Sequence, residues 1–189
     1  MDEFILRSAR HIAAEVCGRV LKKGDVAVDA TMGNGHDTLL LCRLVGDTGK
    51  VHAFDVQQKA LENTLALLRQ HGMENRAVLH LMGHERMGEM VPPPVKLVMF
   101  NLGWLPGSDK KVRTAWPTTR QALDTALSLL CPLGLCVVCV YPGHPEGEEE
   151  RQQLLAYLQA LPPQEYNVLR HQFVNAGEQA PECVLIQRQ

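Results

Sequence analysis

Along residues 3–21 the apolar side chains of Ile5, Ala9, Ile12, Val16 and Val20 recur at steps of three and four, a single stripe that predicts an amphipathic helix. The period then changes. Gly24-Asp25 interrupts the helix, VAVDA (26–30) is an apolar run with no polar alternation, and HDTLLLCRLVG (36–46) returns to helical spacing. An apolar run without alternation suits a strand buried on both faces, as in a parallel sheet covered by helices. The same change recurs down the chain. VHAFD (51–55) and AVLHL (77–81) read as strands around a helix near 57–71 that carries Leu61, Leu65 and Leu68. KLVMFN (96–101) and LCVVCVY (135–141) read as strands separated by a long loop and a helix opened by Pro117. A helix near 146–160 and two strands near 166–174 and 182–187 finish the pass.

Strands alternating with helices at this spacing predict a doubly wound, mostly parallel, Rossmann-like α/β sheet. Only NAGEQAPE joins the last two strands, which is short for a crossover and predicts a hairpin with the terminal strand antiparallel. That combination is the architecture of class I methyltransferases. With 189 residues and neither repeat nor low-complexity linker, we expect a single domain over 1–189, with the N-terminal helix at about 3–21.

Composition narrows the functional classes. A formal charge of -2 excludes a broadly basic nucleic-acid binder, so any RNA contact must use a local patch. Asp2, Glu3, Arg7, Arg10 and Glu15 interrupt the first apolar stretch, so neither signal peptide nor membrane span is predicted and a cytoplasmic location is expected. The six cysteines fall mostly in apolar runs and read as reduced, buried hydrophobes. Cys136 and Cys139 have metal-like spacing, but in a strand they point to opposite faces, and no metal centre is expected.

In an open α/β sheet, ligands bind beyond the carboxyl ends of the strands where strand order reverses. The first strand ends in Asp29, followed by Thr31, Gly33, Asn34, Gly35 and Asp37 at the start of a helix. The glycines permit a tight turn and close ligand approach, and the helix start offers free amide donors. A dinucleotide fingerprint would place a third glycine where Thr38 stands, and here an acidic residue precedes the glycines by four positions. The pattern therefore favours S-adenosylmethionine over a nicotinamide cofactor. Asp55 closes the second strand, where a carboxylate is suited to both ribose hydroxyls, and Gln57 follows it. Gly83 and His84, after the third strand, are candidate neighbours of the adenine.

After the fourth strand comes Asn101-Leu102-Gly103-Trp104, in the position of the Asn-Pro-Pro-Tyr motif of methylases that act on planar exocyclic amines. An Asn carboxamide orients an amine, and an aromatic ring stacks on a base. Leu102-Gly103 in place of Pro-Pro changes the loop. Lys110, Lys111, Arg113 and Arg120 form a cationic cluster opposed locally only by Asp109, a candidate phosphate contact. Trp104 is the candidate stacking residue and Trp116 a packing one.

The segments DATMGNGHDT, FDVQ, GHE, NLGWLPGSDK, TTRQAL, YPGHPEGEEE and HQFVN together closely resemble a family first described as ribosomal RNA methylases. Its characterised bacterial members are tRNA 5-(aminomethyl)-2-thiouridine methyltransferases. Trp104 stands where many members have Tyr, which keeps a stacking surface and removes a hydroxyl. The resemblance implies methylation of the aminomethyl nitrogen of the wobble uridine, with tRNA as partner through its anticodon stem-loop. Because an alkyl ammonium has no free lone pair, a proton must be taken, and Asp109 and His144 are both candidates for that task. The oligomeric state stays open, a homodimer included.

Overall fold

The structure, a computed structural model, describes residues 8–105, 107 and 112–189. Helix α1 (Ala9–Val20) starts at Ser8, whose hydroxyl accepts the His11 amide, and buries Ala9, Ala13 and Cys17. It is followed by β1 (Val26–Asp29), α2 (His36–Val45), β2 (Lys50–Asp55), α3 (Gln58–Gln70) and β3 (Ala77–Leu81). A 3-10 turn at His84–Arg86 leads into the single-turn α4 (Met87–Met90) and then β4 (Val95–Asn101). The remainder is α5 (Trp116–Leu129), β5 (Leu130–Val140), α6 (Pro145–Gln159), β6 (Tyr166–His171) and β7 (Glu182–Arg188).

All seven strands belong to one sheet, ordered β3-β2-β1-β4-β5-β7-β6. Neighbours among β1 to β5 pair in parallel. β7 runs antiparallel between β5 and β6. The expected terminal antiparallel strand is therefore present, inserted inside the sheet rather than at its edge.

Alternation along the central strands feeds two cores. Val28, Val98, Phe100, Cys136 and Val138 pack with Ala122, Leu123, Leu154 and Leu158 of α5 and α6. Ala27, Leu97, Met99, Val137 and Cys139 pack with Ala9, Ala13, Leu41 and Leu68 of α1, α2 and α3. The apolar runs in the sequence are continuous because both faces are covered. Cys136 and Cys139 fall in opposite cores, and all six cysteines are free thiols.

Two boundaries differ from expectation. β5 begins at Leu130, five residues before the expected start, through a register shift opposite Val95 and Leu97. β6 stops at His171 instead of 174, because its only partner, β7, begins at Glu182 and pairs Cys183 with His171. Of the predicted helix 3–21, residues 3–7 lie outside the described part.

Candidate functional site

Strand order reverses between β1 and β4, and a cleft of about 670 Å³ opens there, above the carboxyl ends of β1, β2, β4 and β5. One half is built on the turn between β1 and α2. Gly33 and Gly35 both adopt positive φ, at 51° and 81°, which an L side chain rarely tolerates. A Cβ on Gly35 would stand 2.8 Å from the Thr64 Cα, so this glycine also allows α3 to close against the turn. Further bonds fasten the turn to its neighbours. The Met32 amide donates to Phe54 O at 2.9 Å, Thr64 Oγ1 to Gly33 O at 3.1 Å, and Asn63 Nδ2 to Asn34 Oδ1 at 2.9 Å.

Asp55 unites this half. Its oxygens accept the Gly33 amide at 3.1 Å and the Gln57 amide at 2.9 Å, which leaves lone pairs for a ligand in the cleft. Burial pushes its carboxyl upward while these backbone amides pull it back. Thr31, Gly33, Asn34, Gln57, Gly83 and His84 share the lining with it. Buried His84 bonds the Ala30 carbonyl through Nδ1 at 3.2 Å and meets Phe100 edge-on. Desolvation lowers its pKa, so it is a neutral imidazole that pins the turn.

Asp29 does not line the cleft. It is buried behind the turn, where Oδ1 accepts the Thr31 amide at 3.1 Å and Oδ2 the Thr38 hydroxyl at 2.6 Å. Burial, with Asp37 nearby, pushes its pKa up to about 7. Its place is that of a support for the turn, since no oxygen is turned toward a ligand. Gly35 is likewise absent from the lining and serves as the N-cap position of α2.

The other half of the cleft rests on side chains. The Asn101 amide donates to Thr31 Oγ1 at 2.7 Å, and its Nδ2 donates to Asp37 Oδ2 at 3.0 Å. Asp37 Oδ1 in turn accepts Nε and Nη2 of Arg10, from α1, at 2.9 and 2.7 Å. Beyond Asn101, Trp104 pairs in a β-bridge with Arg113, and Gly103 and Thr114 exchange backbone and hydroxyl bonds that close the base of the loop. Thr114 and Thr119 hydroxyls both donate to the buried carboxylate of Glu150 on α6, at 2.8 and 2.6 Å, tying the loop to two helices.

Trp104 faces the cleft and leans on the His144 ring, 4.7 Å between centroids and tilted by 59°. Trp116 packs against Tyr157 and the core, as expected of it. His144 is a correction. It is the N-cap of α6, its Nδ1 accepts the Gly147 amide at 3.0 Å, and it stands behind Trp104 outside the cleft lining. The reason is chemical: His before Pro145 at a helix start has an unsatisfied amide within reach and takes it.

The cationic cluster also changes. Arg113 is held by Glu146 at 2.9 Å, a carboxylate 33 residues further along the chain, and Arg120 approaches Asp124 at 4.0 Å. Opposition by Asp109 alone overlooked Asp124, one helical turn from Arg120, and folding adds the distant Glu146. Asp109, Lys110 and Lys111 lie outside the described residues.

Among the lining residues that the sequence did not single out are Arg10, Val56, Thr118 and Tyr141. Tyr141 and Val56 each follow a strand end, a position that could have flagged them. Val56 is 60% exposed, an apolar surface offered to the cleft. Arg10 carried no local signal, since the α1 stripe concerns only its apolar face.

The comparisons with known proteins agree with this geometry. A chloroplastic tRNA (mnm(5)s(2)U34)-methyltransferase of Arabidopsis thaliana is 39% identical over 179 residues, which is 89% of this chain. The chain spans 65% of that relative's length. A crystal structure described as a putative rRNA-methylase from Clostridium thermocellum superposes with a TM-score of 0.96 at 36% identity, covering 98% of this chain and 100% of that one. A putative methyltransferase from Streptococcus mutans, solved in complex with SAH, gives a TM-score of 0.89 at 33% identity, covering 98% and 100%. With the family model for "Putative rRNA methylase" matching residues 51–187, most of the sheet, Asp55 and the Asn101–Trp104 loop fall within it, while the β1–α2 turn precedes it, and the chain belongs to that methylase family.

Proposed function

We propose that this chain is an S-adenosylmethionine-dependent methyltransferase acting on the aminomethyl nitrogen of 5-aminomethyl-2-thiouridine at the wobble position of tRNA. The observation that carries this reading is the pairing, in one cleft, of a carboxylate-and-glycine half suited to a nucleoside with an Asn101–Trp104 half suited to a base-linked amine. The names of the Arabidopsis and Streptococcus mutans relatives point the same way.

The residues fit the cofactor. Asp55 has lone pairs free for two adjacent hydroxyls, Gly33 puts bare backbone on the wall, and Val56 and Gly83 leave an apolar slot beside it. The volume is in the range of small-molecule sites. When bound, S-adenosylmethionine supplies an electrophilic methyl group on a sulfonium. Everything else falls to the chain. Asn101 orients the amine so that its lone pair faces the methyl, and Trp104, braced by His144, is the surface on which the uracil ring stacks. Arg113 exchanges Glu146 for a phosphate, an inexpensive exchange because exposed ion pairs contribute little. Lys110 and Lys111 add to that contact. With His144 committed to its helix, Asp109 is the candidate that takes the amine's proton.

Among the described residues no helix is long and apolar enough to cross a membrane. A cytosolic location beside its tRNA is part of the same proposal. The test is direct. Purified protein, S-adenosylmethionine and tRNA from a strain lacking the gene should yield 5-methylaminomethyl-2-thiouridine by nucleoside mass spectrometry. Methyl transfer only to ribosomal adenine or to a small amine, or cofactor binding without transfer, would overturn the reading.

A further inference from the structure

Asn101 is held more tightly than its task of touching an acceptor requires. Its amide is fixed by Thr31, and its side-chain nitrogen donates to Asp37, itself only 8% exposed. A carboxamide has two ends of almost equal size, and only its partners decide which end points where. Here they decide. Arg10 is a donor only, and a carboxylate bound by it through Nε and Nη2 is an acceptor only, so the edge of Asn101 facing Asp37 must be the NH₂. With Nδ2 turned to Asp37, the oxygen is the end of the carboxamide left for the cleft, which Asn101 lines.

We propose that Arg10 and Asp37 are positioning residues that hold Asn101 with its oxygen toward the acceptor, so that the site selects a nucleophile bearing a hydrogen for that oxygen to accept. This rests on the reading of Asn101 as the residue that orients the acceptor. A primary amine satisfies it: one N–H donates to the Asn101 oxygen and the lone pair is left to attack. A ring nitrogen without hydrogen, or a thioether, finds no anchor. α1 thereby becomes part of the acceptor site, although its sequence pattern is that of a packing helix.

Four proteins test this: wild type, Asp37→Asn, Asn101→Asp and the double exchange. All are isosteric, and thermal melting reports whether each folds. In Asp37→Asn the new carboxamide gives its oxygen to Arg10 and its NH₂ to residue 101, so Asn101 turns its oxygen away from the cleft. In Asn101→Asp two carboxylates face each other. The double exchange restores one donor opposite one acceptor and leaves an oxygen toward the cleft. Single-turnover transfer to undermodified tRNA should fall about tenfold or more in each single variant. Cofactor affinity by calorimetry should stay within about threefold in Asp37→Asn, since binding and orientation are separate. The double variant should be faster than either single. A readout independent of transfer is the Asn101 side-chain amide in ¹⁵N NMR, whose hydrogen toward Asp37 should be protected from exchange in wild type and unprotected in Arg10→Met.

Asp37→Asn at wild-type rate, a double variant no faster than the slower single, or that hydrogen unprotected in wild type would each overturn the proposal. Failure of the wild type to methylate tRNA would overturn the functional reading instead, and the NMR result would still decide the orientation.

Discussion

The two halves of the cleft are made in different ways. On the β1–β2 side, the turn is fastened mainly through main-chain atoms: Met32 N to Phe54 O, Gly33 N to Asp55, Gln57 N to Asp55, Thr64 to Gly33 O. On the β4–β5 side, side chains hold side chains: Arg10 to Asp37, Asp37 to Asn101, Arg113 to Glu146, Thr114 to Glu150, Trp104 against His144. Main-chain bonds survive most substitutions, whereas a side-chain bond ends with the residue. The first half should therefore be sensitive chiefly where a glycine or one of its carboxylates, Asp55 and Asp29, is touched. The second should be sensitive at each member of its network, and in rate more than in binding.

The sharpest separation is expected from Asn101→Ala. Freed of the carboxamide, the amine rotates, and misplacement of about 1 Å costs roughly a hundredfold in rate. Single-turnover transfer at saturating tRNA and cofactor should show that loss with cofactor affinity nearly unchanged. Transfer within about threefold of wild type would remove Asn101 from the chemistry.

Asp55→Ala should do the reverse and weaken cofactor binding. A charge-assisted bond contributes about 1.5–3 kcal/mol. Calorimetry should accordingly show a loss of about tenfold to a hundredfold. Asp55 also holds the Gly33 and Gln57 amides, so the variant should melt earlier as well, and Asp55→Asn, which keeps one acceptor, should fall between.

Gly35→Ala tests the backbone itself. A φ of 81° and a Cβ 2.8 Å from the Thr64 Cα put strain in the turn. A residue held in such a conformation costs of order 1–3 kcal/mol. For a chain of this size that is a drop of about 2–12 °C in melting temperature. An unchanged melting temperature would mean that α3 gives way at little cost.

The smallest effect belongs to the outer strands of the same half. His52 and His80 are buried, 3.1 Å apart between ring nitrogens, and stacked with Phe54 beside them. Desolvation, with His80 and Lys50 nearby, lowers the His52 pKa to about 4. The unfolded chain, with an ordinary histidine, then binds more protons between about pH 6.5 and 4, so stability is complete above that window and declines as pH falls through it. Urea unfolding at pH 7 and pH 5 should show a smaller loss for His52→Gln than for wild type. Equal losses would assign the acid sensitivity to other groups.

How much of this was legible beforehand follows the same division. The strands of the central sheet could be read because burial on both faces writes itself as an unbroken apolar run. Gly33, Asp55 and Asn101 could be read because strand ends are where a parallel sheet presents ligand groups, and each of these residues stands at or just past one. Asp55 bonds backbone amides, which every residue supplies, whereas the partners of Asn101 are the side chains of Thr31 and Asp37, which no local pattern announces. His144 was misjudged by position alone: the loop after β5 does lie at the active edge, yet the nearest unsatisfied donor was the amide of Gly147, and local geometry claimed the ring.

By itself, then, the sequence determined the alternation of elements, the cofactor turn with its glycines, the carboxylate at the end of β2 and the asparagine at the end of β4. Only the tertiary structure decided that Asp29 supports the turn from behind, that Glu146 pairs Arg113, that β7 enters between β5 and β6, and that Arg10 reaches Asp37 beside Asn101. The last of these chains joins residues 27 and 64 positions apart, Arg10 to Asp37 and Asp37 to Asn101. Periodicity and capping act within a few residues, whereas a hydrogen bond between side chains depends on the distance the fold happens to set between them, and nothing local in either segment encodes it.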